Sequence, residues 1–370
     1  MNNIVKIKTL TPVHIGSGTI LQYNTDFVTV ENKRTGDRYL QVLDDKKILK
    51  LIGVENIPKW ILSIERNEDT KAFVKRMAPD SKIADYNKRR MMCFTNNVTN
   101  ETLKEHIHNG LGLPYIPGSS IKGAIRTAVF ASMADSIRNM EEKIFKSSKP
   151  KASMVEKALF GDDPTADCFR FIHVGDSYFA PGCEIALRLV MYLNVTQNTD
   201  LHPHKDLKPQ LAEAIGADEE SSFRLNICKE YAQWVARHSP TAHVLPPEIN
   251  NLASLFELIN THTRKLVEEE ITVWENLSEN HNGAEEYIGN MKEILKEIEA
   301  CHNGKACILR LGHTSGWRFI TGAWSEKKPY FNKIKDAARP ANYRYRDYGF
   351  PKSRRTDSDG CLLGFVKLSV

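Results

Sequence analysis

The 370-residue sequence predicts an α+β protein of two domains, the second carrying a mostly helical insertion. Three observations predict it. Strand-like segments lie near the start, in the middle and at the end of the chain. Between about 207 and 300, apolar residues recur three and four apart, as in helices. The length exceeds one ordinary core, because domains run to roughly 100–200 residues. The expected division is 1–165, with a basic insertion near 59–102, and 166–370, with the helical insertion near 201–300.

In chain order, Ile4 to Leu10 alternates, with Lys6 and Lys8 on one face and Val5, Ile7 and Thr9 on the other. It reads as a strand. Gly16-Ser17-Gly18 reads as a flexible turn. Phe27 to Val30 and Arg38 to Val42 read as strands joined by the turn Arg34-Thr35-Gly36-Asp37. Asp44-Asp45 caps a helix through Ile52. Lys59 to Arg90 is polar and rich in Lys and Arg. Gly112 to Ser120 is a turn-rich loop that feeds an amphipathic helix from Ile121, with Ser119 or Ser120 as N-cap. Ser147 to Lys151 is a linker. Phe169 to Val174 and Glu184 to Asn194 read as strands. Helical spacing then runs through Leu252, Leu255 and Ile259, and through Ile288, Met291, Ile294 and Ile298. A strand is expected near Leu309 to Ile320, an aromatic basic stretch from Lys328 to Ser358, and a closing strand from Leu362 to Leu368.

Composition narrows the function. With 41% hydrophobic and 26% charged residues the chain is neither disordered nor membrane-spanning in character. The N-terminus lacks an apolar signal segment, so a cytoplasmic location is expected. Seven cysteines without regular spacing argue against a disulfide framework or a zinc site. Cys301, His302 and Cys307 are close, but His302 to Lys305 looks like a turn. The pairs His106/His108 and His202/His204 read as surface histidines. No motif calls for a cofactor. Residues 251–300 hold 4 basic and 11 acidic side chains, whereas 301–370 hold 14 basic and 5 acidic. A basic terminal block points to an anionic partner.

Three segments carry chemistry suited to that partner. Pro117-Gly118-Ser119-Ser120 opens a helix whose free N–H groups and positive dipole end suit a phosphate. Lys122 and Arg126, four apart, share one face of it. The spacing does not match a nucleotide-hydrolysing P-loop. Gly312-His313-Thr314-Ser315-Gly316, flanked by Arg310, Trp317 and Arg318, can form a nest of backbone N–H groups. From Arg339 to Arg355, Arg344, Arg346, Lys352, Arg354 and Arg355 alternate or cluster with tyrosines. Guanidinium groups grip phosphates and aromatic faces take unstacked bases.

Read together, Thr11 to Gly18, Ile116 to Arg126 and the late glycine loop resemble the RAMP superfamily of CRISPR-associated proteins. Leu159-Phe160-Gly161, Phe169-Arg170-Phe171, Asp176-Ser177 and the Phe350 to Arg355 stretch before Leu363 to Leu368 resemble, within it, the family of fifth Csm subunits of type III-A effector complexes. The resemblance leaves 59–102 and 201–300 uncovered. It implies two ferredoxin-like domains, similar to RNA-recognition motifs. It implies a subunit that caps the end holding the 3′ part of a CRISPR guide RNA. Its partners would be that RNA, the backbone RAMP subunits and recruited host nucleases. Lys122 and Arg126 would face RNA or a neighbouring subunit. The family's late loop is often richer in glycine, whereas His313-Thr314-Ser315 fills it here.

Two alternatives stay open. One is a metal-independent endoribonuclease, with His14 and then His313 as acid–base candidates; Asp26, Asp37 and Asp44 are the loop carboxylates available to a metal-dependent variant. The other is a protein-only scaffold that docks a partner through the acidic helical stretch. Steep salt dependence would mark RNA binding.

Overall fold

The computed structural model describes residues 3–93, 102–146, 152–194, 210–239, 243–277, 284–320, 322–338, 351, 353–357 and 360–370. The linker at 147–151, the pair His202/His204, Arg344, Arg346 and Lys352 lie outside the described residues.

In chain order the strands are β1 (Ile4–Thr9), β2 (Gly16–Gln22), β3 (Phe27–Glu31), β4 (Arg38–Leu43), β5 (Asn87–Cys93), β6 (Thr102–His106), β7 (Tyr115–Ile116), β8 (Ile172–Val174), β9 (Ser177–Tyr178), β10 (Ile185–Asn194), β11 (Gln210–Ile215), β12 (Glu220–Ile227), β13 (Ala306–Arg310), β14 (Ser353–Thr356) and β15 (Phe365–Ser369). The helices are α1 (Asp45–Ile52), α2 (Ile57–Glu65), α3 (Thr70–Met77), α4 (Ile83–Tyr86), α5 (Gly118–Met133), α6 (Met140–Ile144), α7 (Ala152–Phe160), α8 (Lys229–His238), α9 (Leu252–Glu275), α10 (Ala284–Glu299) and α11 (Phe331–Ala338).

Alternation builds the first sheet. Val5, Ile7 and Thr9 of β1 are buried, and β1 pairs antiparallel with β12 on one side and β15 on the other. The full order is β13-β15-β1-β12-β8. Ile121 and Ile125 of α5 and Leu255 and Ile259 of α9 share a core with Val5, Ile7, Phe223 and Leu225 of this sheet. A second core joins the C-terminal half of α9 to α10 through Trp274, Tyr287, Met291 and Ile294, over Ile308 and Phe365. The second sheet runs β2-β6-β11-β10-β5-β4-β3, with β14 also paired to β10. Both sheets draw strands from either side of position 165.

Several expectations change against this fold. Gly16-Ser17-Gly18 is the start of β2 rather than a free turn, with a register irregularity between Gly16 and Ile20. The last part of the basic stretch is β5, held between β4 and β10. Phe169 to Val174 begins as a short 3-10 turn before β8. The segment read as helical from 207 opens with two strands, β11 and β12. In β11 five of six residues are buried, so a central strand leaves no alternation to read. By contrast, Asp44 caps α1 by accepting N–H bonds from Lys46 and Lys47, as its position suggests. All seven cysteines are free.

Candidate nucleic-acid interface at the glycine loop

The loop from Leu311 to Gly316 follows β13 and lies across the chain that leaves β1. Its closeness depends on Gly312, which has φ +90°; a Cβ there would sit 2.4 Å from the His14 carbonyl oxygen. The His313 N–H donates to that same oxygen at 3.2 Å. Val13 in turn exchanges backbone bonds with Ile215 of β11 at 2.9 and 3.0 Å. The loop is thereby set over the seam between the two sheets. Thr314 is buried, and its Oγ1 has no hydrogen-bond partner among the described residues.

Four side chains meet at this seam. The His14 and His313 ring centroids are 6.1 Å apart. Lys104 Nζ of β6 donates to His313 Nε2 at 2.8 Å. Arg355 Nη1 of β14 donates to the His313 carbonyl oxygen. Burial and then Arg355 lower the Lys104 ammonium below its usual range. Burial, then Arg355, Lys104 and His14, push His313 down to about 4. His14 is also lowered, by burial first, against the opposing pull of its bond to Glu213. Both imidazoles are therefore neutral near pH 7. His14 Nδ1 lies 2.7 Å from the Glu213 carbonyl, which only accepts, so Nδ1 carries the proton and Nε2 does not. The exposed charge of the loop comes from Lys104 and Arg355.

A buried network holds this face. Glu213 is fully buried and accepts from Arg89 Nε at 2.7 Å and Nη2 at 2.8 Å, and from the His106 N–H at 3.1 Å. Burial opposes its charge, but His108 and Arg89 hold the carboxyl down at about 2. Arg89 also reaches Glu105 at 2.9 Å, so one guanidinium bridges two carboxylates. His106 is wholly buried rather than a surface residue. Its Nδ1 accepts from the Ile15 N–H at 3.1 Å, its Nε2 donates to the Tyr115 carbonyl at 3.2 Å, and burial pushes it down to about 3. His108 donates from Nδ1 to the His106 carbonyl at 2.7 Å.

A profile of the RAMP superfamily matches residues 6–319. The chain belongs to the RAMP superfamily. No curated protein matches it. A chain from the cryo-EM structure of a Csm–crRNA–target RNA ternary complex of a type III-A CRISPR-Cas system is similar over 100% of both chains, with a TM-score of 0.68 and 19% identity. The crystal structure of T. onnurineus Csm5 is similar over 98% of this chain and 99% of its own, with a TM-score of 0.64 and 20% identity. These likenesses are of fold.

In this RAMP chain the other predicted contact residues fall into distinct places. The helix that opens at Pro117-Gly118 has Pro117 as its N-cap, so Ser119 and Ser120 lie inside the first turn. The Gly118 N–H donates to Asp176 Oδ1 at 2.7 Å, and a Cβ on Gly118 would meet the Val174 carbonyl at 2.3 Å. A carboxylate of the chain itself thus occupies the position expected for a phosphate. Arg126 pairs with Glu156 and Asp167, each at 2.9 Å, and stacks over Phe160 and Phe169. Lys122 makes no ion pair or hydrogen bond with a described residue, and burial lowers its ammonium while Asp167 opposes that.

Arg310 is enclosed between Phe319 and Phe365 and donates to the Leu363 carbonyl at 3.0 Å. Arg354 is buried and forks onto Glu270 at 2.5 and 2.9 Å, where Tyr287 also donates. Trp317 packs on Phe331 of α11, with ring centroids 5.7 Å apart, and Gly316 caps the short 3-10 turn that carries it. Arg310 and Arg354 thus leave the expected RNA face, because each is committed to the core. Asp26, Asp37 and Asp44 are spent on turns: they accept from the Gln22 N–H, the Thr35 hydroxyl and the Lys46 N–H respectively. Among the described residues no group of His, Cys, Asp and Glu is placed to hold a metal ion.

Sequence reasoning missed Lys104, Arg89 and Glu213. Lys104 had a signal, because Leu103 and Lys104 alternate within a short strand. Arg89 and Glu213 had none, being 124 residues apart.

Proposed function

We propose that this RAMP chain is the non-catalytic guide-RNA-binding subunit that caps the 3′-side end of a type III-A CRISPR effector complex, acting in the cytoplasm. Its partners on this reading are the guide RNA, the backbone RAMP subunits and the host nucleases recruited for guide maturation. The observation that carries the proposal is the agreement of fold, end to end in both chains, with a chain of a Csm–crRNA–target RNA assembly. The glycine loop supports it, because the cations Lys104 and Arg355 converge there on His313, one on its ring and one on its carbonyl oxygen. Two ferredoxin-like domains belong to the same reading, with both sheets crossing the boundary expected near 165. The antiparallel order β15-β1-β12-β8, with α5 and α9 as the connecting helices, supports one of them as a β-α-β-β-α-β unit. The halves are interleaved, since β1 lies inside a sheet otherwise built from the second half. The test is to assemble effector particles with and without this chain and footprint the guide. Loss of protection confined to the 3′ part supports the cap; unchanged protection along the whole guide removes it.

The 6.1 Å approach of His14 and His313 favours a second reading, an endoribonuclease. His14 Nε2, being unprotonated, has the form of a general base, and Lys104 is the charged group able to serve as acid. Against it, His14 is only 1% exposed, so a ribose 2′-OH has no path to Nε2 in this conformation. Purified chain that cuts a guide-like RNA, with cutting abolished by His14→Ala and His313→Ala, would establish this reading in place of the first.

A further inference from the structure

Away from the glycine loop, three lysines converge on a groove of about 470 Å³ between α6 and α7. Lys143 comes from α6, Lys146 from the turn after it and Lys157 from α7; His243 and Asp162 complete the lining used here. The ammonium groups of the three lysines make no ion pair or hydrogen bond with a described residue. This is unlike the nearby surface. On the same short helix Glu141 pairs with Lys333 at 2.6 Å, and Lys328 pairs with Asp135. Along α9 and α10, Lys292 and Lys296 each have a glutamate within 4 Å. Helix α6 therefore sorts its charges, acids toward α11 and Lys143 toward the groove. One aspartate faces three lysines, and like charges gathered around a concave surface repel unless an anion lies between them.

We propose that this groove holds a stretch of single-stranded RNA phosphodiester backbone, as a second contact separate from the glycine loop. Lysine suits that role, since a compact flexible point charge follows a backbone without reading bases. The spread of three cations over two helices fits more than one phosphate, and so a chain rather than a lone ion. The inference rests on the RNA-binding reading given above but names its own residues.

The experiment is a lysine-acetylation footprint of the full chain, read by mass spectrometry with and without a single-stranded oligoribonucleotide. Protection of Lys143, Lys146 and Lys157 is the expected result. Protection of Lys104 alone overturns the groove while leaving the RNA-binding reading in place, and protection of neither overturns both. A triple glutamate variant of the groove lysines should lower the salt slope of binding by roughly 2, at about 0.7 per phosphate contact for single strands. The triple arginine variant should keep the slope and shows that charge, not a folding defect, sets it. An unchanged slope in the glutamate variant overturns the proposal.

Discussion

Arg354 and Arg355 are neighbours in sequence and opposites in role. On a strand, successive side chains leave by opposite faces. Arg354 goes inward to Glu270, where Arg318 also lies 2.8 Å from the carboxylate. Arg355 goes to the glycine loop. Removing one partner of a buried pair costs about 3–5 kcal/mol, and because Arg318 and Tyr287 remain on Glu270 the cost here falls at the low end of that range. Arg354→Ala should therefore lower the urea midpoint strongly. Arg355→Ala should change stability by less than about 1 kcal/mol, as for half-exposed charges, yet weaken RNA binding. Paired denaturation and binding curves for the two variants check this; equal effects on stability would contradict the assignment. The basic, aromatic character of the segment is plain in the sequence, but which arginine turns inward is not. That depends on Glu270, which lies 84 residues away.

At the scale of elements, the two glycine signatures were legible, though for a reason other than the one the sequence suggested. Gly118 and Gly312 are needed because backbone from another element passes where a Cβ would be. Gly312→Ala combines that clash with φ +90°, a conformation costing roughly 1–3 kcal/mol for a side-chain-bearing residue. It should lower the melting temperature and also disturb the Lys104–His313 contact, seen as a shift of the His313 imidazole NMR signals. A variant with unaltered melting and signals would show that the loop does not rest on His14. At the other signature, Asp176→Asn keeps an acceptor for the Gly118 N–H but removes the charge at the helix start, so a loss of about 0.5–1 kcal/mol is expected from the dipole interaction. Amphipathic spacing correctly identified α9 and α10, whose apolar faces are buried. The strands β11 and β12 escaped the same reading, because β11 is buried on nearly every residue and looks like any apolar run.

Across the whole molecule, the α+β class was legible from the order of strand-like and helical segments, while the pairing of β1 with β12 and β15 was not, since it joins residues more than 200 apart. The buried histidines give the fold a pH signature. His106 is held neutral down to about 3, whereas in the unfolded chain it titrates near 6.5. Its lowered value means that the unfolded state binds the extra proton, so stability is full above about pH 6.5 and falls as pH drops below it. The slope is about 1.4 kcal/mol per pH unit for this residue. Glu213 acts in a lower window: with its carboxyl at about 2 against an unfolded 4.5, its contribution is present above 4.5 and is lost between there and 2. Urea midpoints should fall from pH 7 to 5.5, and His106→Gln should flatten that part of the curve. A midpoint independent of pH over this range would mean that His106 is not buried in the neutral form.

The central claim, an RNA-binding and non-cutting chain, is tested most directly by one titration. The purified chain is incubated with a labelled guide-like RNA across a salt series, with the Lys104→Glu, Arg355→Glu double variant run beside it. Affinity should fall steeply with salt, the RNA should remain intact, and the double variant should lose roughly 1.4 from the slope, at about 0.7 per phosphate contact. Binding indifferent to salt and to the two substitutions, or cleavage of the RNA by the pure chain, would contradict the account.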